Sequence, residues 1–153
     1  MSLVNNALRR WFWCPAAILL VALGQLAVWA ADREPPFALI STDPIIAKRG
    51  EEVTLHANVR RDIARRCSAK YSRYVFDADG FRRDLEGERT ASAEFIDKME
   101  RISPGKLQVV IKLSQALPLG SSALVTDLRY RCNPLHVLWP IFVKTEIPFE
   151  VVP

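Results

Sequence analysis

The chain opens with a short polar lead, Met1 to Arg10, and then changes character abruptly. From Trp11 to Ala31 there is no charged residue, and only Gln25 interrupts the apolar and small side chains. A segment without a polar face suits a helix surrounded by lipid better than one packed on a soluble core. Its 21 residues would span roughly 30 Å as a helix, the thickness of a bilayer's hydrocarbon core. Past it the pattern switches to period two, the mark of strands with one buried face. In residues 52–60 the inward set is Val53, Leu55, Ala57 and Val59, and in 106–114 it is Leu107, Val109, Ile111 and Leu113. In 123–132 it is Leu124, Thr126, Leu128, Tyr130 and Cys132, and in 140–152 it is Ile141, Val143, Thr145, Ile147, Phe149 and Val151. Turn residues separate these runs at Lys48-Arg49-Gly50, Asp77-Ala78-Asp79-Gly80, Ser103-Pro104-Gly105, Pro118-Leu119-Gly120 and Asn133-Pro134. The pattern predicts an all-β sandwich of about seven strands behind one transmembrane α-helix. The chain then divides into a cytoplasmic lead (1–10), a membrane helix (11–31), a polar, proline-stiffened stalk (32–36) and the sandwich (37–153). Thr90 to Ile102 reads two ways. Phe95, Ile96, Met99 and Ile102 recur at helical spacing, whereas a sandwich wants its fourth strand here, and a strand is the expectation.

Charge and cysteine usage add orientation and compartment. Lysine and arginine number 21 against 17 acidic residues. Once Arg9 and Arg10 are set aside the balance is close to even, so the basicity does not point to nucleic acid. Arg9 and Arg10 before the apolar block place the amino end in the cytoplasm and the domain in the periplasm or outside the cell. Trp11 and Trp13 at one end of the block and Trp29 at the other suit the aromatic belts of a membrane anchor. A cleaved signal peptide is the alternative, with Val28-Trp29-Ala30 as the exit before Ala31. The length and the tryptophan flanks favour an uncleaved anchor. Cys14 lies inside the block, leaving an even pair, Cys67 and Cys132, as expected in an oxidising compartment.

Gly50-Glu51-Glu52-Val53-Thr54-Leu55-His56-Ala57-Asn58-Val59 resembles the second strand of an immunoglobulin-like domain. Leu128-Arg129-Tyr130-Arg131-Cys132 resembles the sixth, with tyrosine two residues before cysteine as in that family's tyrosine corner. The resemblance runs from Phe37 to Val152 with two departures. Ala57 stands where the first cysteine of the inter-sheet cystine would be, and the third strand has no tryptophan. The resemblance therefore implies that Cys67, opening the third strand, pairs with Cys132 at the end of the sixth, its neighbour in the same sheet. Tyr130 to His136 followed by Leu138-Trp139-Pro140-Ile141 also resembles small membrane-anchored proteins carried by phages and prophages, which implies no activity.

Candidate chemistry is sparse. Cys132-x-x-x-His136 has the spacing of copper ligands at the end of a late strand, but type 1 copper needs a second imidazole and usually an axial methionine. His56 falls in the outward set of its strand, and neither Met1 nor Met99 follows His136. No metal or cofactor is expected. Asp77-Ala78-Asp79-Gly80 with Asp84 falls short of a calcium loop and reads as a hairpin turn between Phe76 and Phe81. Two histidines and no Gly-x-Ser-x-Gly leave no nucleophile with its base, so the chain reads as a non-enzyme.

Residues 48–73 hold eight basic and three acidic groups, and 77–100 hold eight acidic and four basic. The basic run is either a solvated loop beside a complementary flank or a docking patch for anionic polymer, lipid headgroups or an acidic protein. In an immunoglobulin-like order the loops after the second and sixth strands emerge at one end. Arg60, Arg61, Arg65 and Arg66 would there share a partner-facing surface with His136, Leu138 and Trp139, a composition typical of interface hot spots. The alternative has Trp139 plugging the core end and the arginines solvated. The expected function is a non-catalytic, plasma-membrane-anchored binding or assembly module. Its partner would be another envelope protein or an anionic envelope polymer, not nucleic acid. A phage-type envelope effector and a cupredoxin-like electron carrier are the rivals. Intact mass of membrane-extracted protein is expected to show the apolar block retained, and a mature form beginning at Ala31 would exclude an anchor.

Overall fold

The computed structural model describes residues 2–43 and 45–153, with side chains described for 15–43, 45–85 and 87–153. The elements are α1 (Ser2–Ala31), β1 (Phe37–Thr42), β2 (Ile46–Lys48), β3 (Glu52–Arg61), β4 (Ser68–Phe76), β5 (Arg82–Ala91), α2 (Ala93–Ile102), β6 (Lys106–Lys112), β7 (Gly120–Arg131) and β8 (Ile141–Val152). Single 3₁₀ turns lie at Ile63–Arg65 and Pro134–Val137. Side chains of α1 are described only from Pro15 onward, so Arg9, Arg10, Trp11, Trp13 and Cys14 lie outside the described residues. Among the described residues no helix is long and apolar enough to cross a membrane, and the segment Trp11–Ala31 is only partly covered by them.

The strands form two sheets, ordered β1-β3-β6 and β2-β8-β7-β4-β5. Pairing is antiparallel throughout except where β2 runs parallel to the end of β8, Ile46 opposite Glu150 and Lys48 opposite Val152. The alternation read from the sequence holds. Val53, Leu55, Ala57 and Val59 of β3 are buried and their neighbours Thr54, His56 and Asn58 are exposed. Val109 and Ile111 of β6 meet Val75, Leu124, Ile147, Phe149 and Val151 from the other sheet in one cluster. Burial of these side chains, at about 1.5–3 kcal/mol each, is the main term holding the sheets together. A second, smaller cluster of Cys67, Ala69, Tyr130 and Ile141 fills the end nearest the stalk. Between the two clusters a row of half-buried polar residues crosses the inner face of the larger sheet: Arg73, Thr126 opposite it, and Thr145 opposite Thr126.

Residues 93–102 form a helix, not the expected fourth strand. Ser92 caps it, its hydroxyl accepting from Phe95 N–H at 3.2 Å, and Glu94 and Arg101 lie in its first and last turns, where each charge complements the helix dipole. The physical reason is both local and global. Phe95, Ile96, Met99 and Ile102 already had helical spacing, and the chain must here cross from the free edge of the larger sheet to the edge of the smaller one. The Asp77–Gly80 segment is a tight turn. Asp77 Oδ1 accepts from the N–H groups of Phe81 (2.8 Å) and Asp79 (3.2 Å), and Gly80 takes a positive φ of 80°. The Asp77 carboxyl is held below the usual carboxylate range, because these hydrogen bonds and Arg83 outweigh the opposing effect of its burial.

β4 and β7 are neighbours, Ser68 opposite Arg131, and the cysteines just beyond this pair, Cys67 and Cys132, are joined as a disulfide. Closing a loop with a sequence separation of 65 is worth about 4 kcal/mol in the chain-entropy account. The Cys67→Ala/Cys132→Ala double variant is therefore expected to lose about 4 kcal/mol of unfolding free energy in a denaturant titration of the full chain. Peptide mapping without reductant should recover the Cys67–Cys132 pair.

Candidate binding site at the stalk end

Two short turns flank the disulfide. After β3, Asp62 caps the first, its Oδ1 accepting from Ala64 N–H at 3.1 Å. Arg66 closes it in the left-handed region (φ 43°) and is exposed, a conformation that strains a residue carrying a Cβ. After β7, Asn133 caps the second turn, its Oδ1 accepting from His136 N–H at 3.2 Å. Pro134 follows at the position where a missing N–H costs least.

These turns hold the stalk. Asn133 Nδ2 donates to the Trp29 carbonyl (3.2 Å) and to Asp32 Oδ2 (3.3 Å). The other Asp32 oxygen is ion-paired with Arg65, which also donates to the Glu34 carbonyl. Arg33 closes the set from the stalk side, donating to the carbonyls of Trp139 (2.8 Å) and Pro140 (3.2 Å), with its guanidinium carbon 4.0 Å from the centroid of the Trp139 ring. The end of α1 is thus fixed on the domain. Beside it Val137, Leu138, Trp139 and Phe142 are all exposed, Leu138 at 86%, and Arg129 lies over the Phe142 ring.

The residues expected to face a partner separate into three kinds. Arg60 and Arg66 are exposed. Arg65 is turned onto the stalk. Arg61 is half-buried and turned inward: its Nη1 lies 2.5 Å from Glu100 Oε2 and its Nη2 donates to the Lys106 carbonyl at 2.9 Å. His136 corrects the sequence reading. Instead of being offered on a loop it is 1% exposed, with Nδ1 accepting from Cys132 N–H at 3.2 Å. Trp139 is exposed and does not plug the core. Cys132 is disulfide-bonded and His136 hydrogen-bonded, so the copper spacing read in the sequence is occupied by structural contacts. Among the described residues no group of three or more His, Cys, Asp or Glu side chains could hold a metal ion.

Sequence reasoning missed Asp32, Arg33, Asn133 and Glu100. Asn133-Pro134 was legible as a turn, but nothing local shows that Arg33 reaches Trp139 across 106 positions. Glu100 is the anchor of α2. One oxygen meets Arg61 and the other accepts from Gly105 N–H at 2.9 Å, and the turn needs φ 64° at that glycine. Burial opposes ionisation of Glu100, but Arg61 and the Gly105 N–H prevail and hold its carboxyl below the usual range. No protein-family model matches the chain, and no curated protein matches it.

A depressed carboxyl contributes stability that is fully present above its unfolded value, about 4.3 for glutamate, and is lost as pH falls through the folded value. Docking of α2 is therefore expected to be constant from pH 5 to 8 and to weaken below about pH 4. Amide NMR signals of 93–102 would report this, and Glu100→Gln should weaken docking at neutral pH and flatten the acid response of the same signals.

Proposed function

We propose that the protein is a non-catalytic binding module of the cell envelope: an immunoglobulin-like sandwich held at the outer face of the plasma membrane by α1, with the amino end in the cytoplasm. The observation that carries this is the exposed apolar surface of α1 among its described side chains, with the helix fixed to the domain at its carboxyl end. Ile18, Leu19, Leu20, Val21, Leu23, Leu26 and Val28 are all exposed, on every side of the helix, and such a surface requires a cover that the domain does not provide. Lipid supplies it. The clamp on Trp29 and Asp32 then seats the domain directly against the headgroup region. Val137, Leu138, Trp139 and Phe142, with arginine stacked on both aromatic rings, have the composition of a membrane interface. The sheet orders support the immunoglobulin-like reading. The first strand is split between the two sheets as β1 and β2, β3 and β6 pair in one sheet, and β4, β7 and β8 are consecutive neighbours in the other.

Recognition falls to the cations left free of the clamp. Arg60 and Arg66 project from the end of β3 and its turn, suited to carboxylate or phosphate groups of an envelope polymer or an acidic protein. In cells, the full chain is expected to resist alkaline extraction from membranes, and a carboxyl-terminal reporter that folds only outside the cytoplasm should be active. Arg60→Glu/Arg66→Glu should abolish photocrosslinking from the neighbouring position Asn58 to an envelope component without changing Tm. Release by alkaline wash, or a silent reporter, would overturn the anchored reading. Crosslinks that survive the charge reversal would overturn the recognition surface.

A further inference from the structure

Between the two core clusters lies a cavity of about 230 Å³. That is larger than the roughly 150 Å³ that suffices to hold benzene in an apolar protein interior. Leu39, Leu107 and Val109 form one wall, and Ala69, Leu128 and Ile147 the other. The open side is roofed by α2, whose Phe95, Ile96 and Met99 face the space. No residue of α2 is buried. An amphipathic helix of this kind normally buries its apolar stripe in a core, whereas this one packs Ile96 on the smaller cluster, lines the cavity with Phe95 and Met99, and is pinned by the Arg61–Glu100 pair.

The polar groups around the cavity are unequal. Asp62 caps its own turn, Asp97 is ion-paired with Arg101 at 2.6 Å, and Arg61 is paired with Glu100. Arg73 lies with its guanidinium carbon 4.8 Å from the Tyr71 ring centroid, and Thr145 donates to the Thr126 carbonyl at 3.5 Å. Two groups remain. Arg66 is exposed at the rim. Tyr130 is 4% exposed and lines the cavity. A phenolic O–H at a cavity wall is a donor that a ligand's acceptor can meet. Burial pushes its ionisation far upward, against the pull of Arg61, and keeps the O–H a donor at neutral pH.

We propose that this cavity is the binding site of a single-chain carboxylate amphiphile, with the acyl chain between Leu107 and Leu128 under α2 and the carboxylate accepting from Tyr130 O–H, Arg66 serving as the cation of the rim. The chain completes the core that the two clusters leave open and covers the apolar side of α2. The carboxylate accepts from the tyrosine. The site does not depend on α1 being a membrane anchor, nor on Arg60 and Arg66 recognising an envelope partner. Its failure and the failure of the proposed function are therefore separable.

The test titrates straight-chain carboxylates from hexanoate to dodecanoate, and the alcohols of the same lengths, into the purified full chain. Methyl NMR signals of Leu107, Leu128 and Ile96 provide the readout. Affinity is expected to rise about fourfold per added methylene, the equivalent of about 0.8 kcal/mol, and then to level off once the cavity is filled. Carboxylates should bind more tightly than the matching alcohols. Tyr130→Phe, which removes one oxygen and no volume, should lower carboxylate affinity about fivefold with the same fold. Thr126→Phe, which fills the space, should abolish binding while Tm stays level or rises. Cavity methyl signals that do not move for any chain length would overturn the proposal, as would equal binding by the Thr126→Phe protein. Carboxylates and alcohols that bind alike and are both indifferent to Tyr130→Phe would overturn it too.

Discussion

The two carboxylate oxygens of Asp32 are held by different turns, one by Arg65 and the other by Asn133, and much of the molecule's geometry depends on that double hold. The two turns come from opposite ends of the chain order, after β3 and after β7. They can share one carboxylate only because Cys67 and Cys132 join the start of β4 to the end of β7 directly behind them. The covalent bond removes the relative motion of the turns, so each hydrogen bond to the stalk forms against a preorganised partner and loses less entropy in doing so. Arg33 then locks the stalk from the other side through Trp139 and Pro140. A five-residue stalk that would otherwise act as a flexible tether becomes part of the folded domain, and the direction of α1 is set relative to both sheets.

The two ends of the fold are stabilised differently. Away from the stalk, aliphatic side chains of both sheets interdigitate with nearly complete burial of Leu55, Val75, Leu124 and Val151. Near the stalk the core is small, and order rests on the disulfide, on His136 beneath the second turn and on ion pairs. The helix α2 belongs to this second regime. With no fully buried residue of its own it is held by a cap, by Arg61, by the Gly105 turn and by Ile96 packed on the smaller cluster. These are the attributes of an element at the low-stability end of a fold, able to open without global unfolding. A cavity beneath such an element has a ready entrance.

Position and chemistry are connected through the same residues. The basic run that stood out in the sequence does three jobs: Arg61 positions α2, Arg65 fixes the stalk, and Arg60 and Arg66 remain at the surface. The exposed cluster of Val137, Leu138, Trp139 and Phe142 owes its location to the turn capped by Asn133, which also bonds the end of α1. An apolar patch of that kind at a remote surface would be a liability. Here it lies beside the end of α1, where Arg33 spans from the stalk to Trp139.

Much of the fold was legible from the chain alone. Period-two patterning located β3, β6, β7 and β8 to within a few residues, because burial of one face is imposed on each strand separately and leaves its mark on consecutive positions. Asp77–Gly80 was legible for the same reason, since a tight turn is decided by the residues that make it. The break at 93–102 was written in its helical spacing, yet the sandwich expectation overrode it there, and the local signal proved the better guide. The disulfide was implied by resemblance and count. What the sequence could not show is which arginine of four would reach the stalk, that His136 would be buried, or that Tyr130 would face an open space. Those outcomes depend on pairs separated by tens of residues, such as Arg33 with Trp139 or Arg61 with Glu100, and no local periodicity encodes them. Only when the two sheets are brought face to face, and the disulfide sets one turn beside the other, do the distances that select these partners exist.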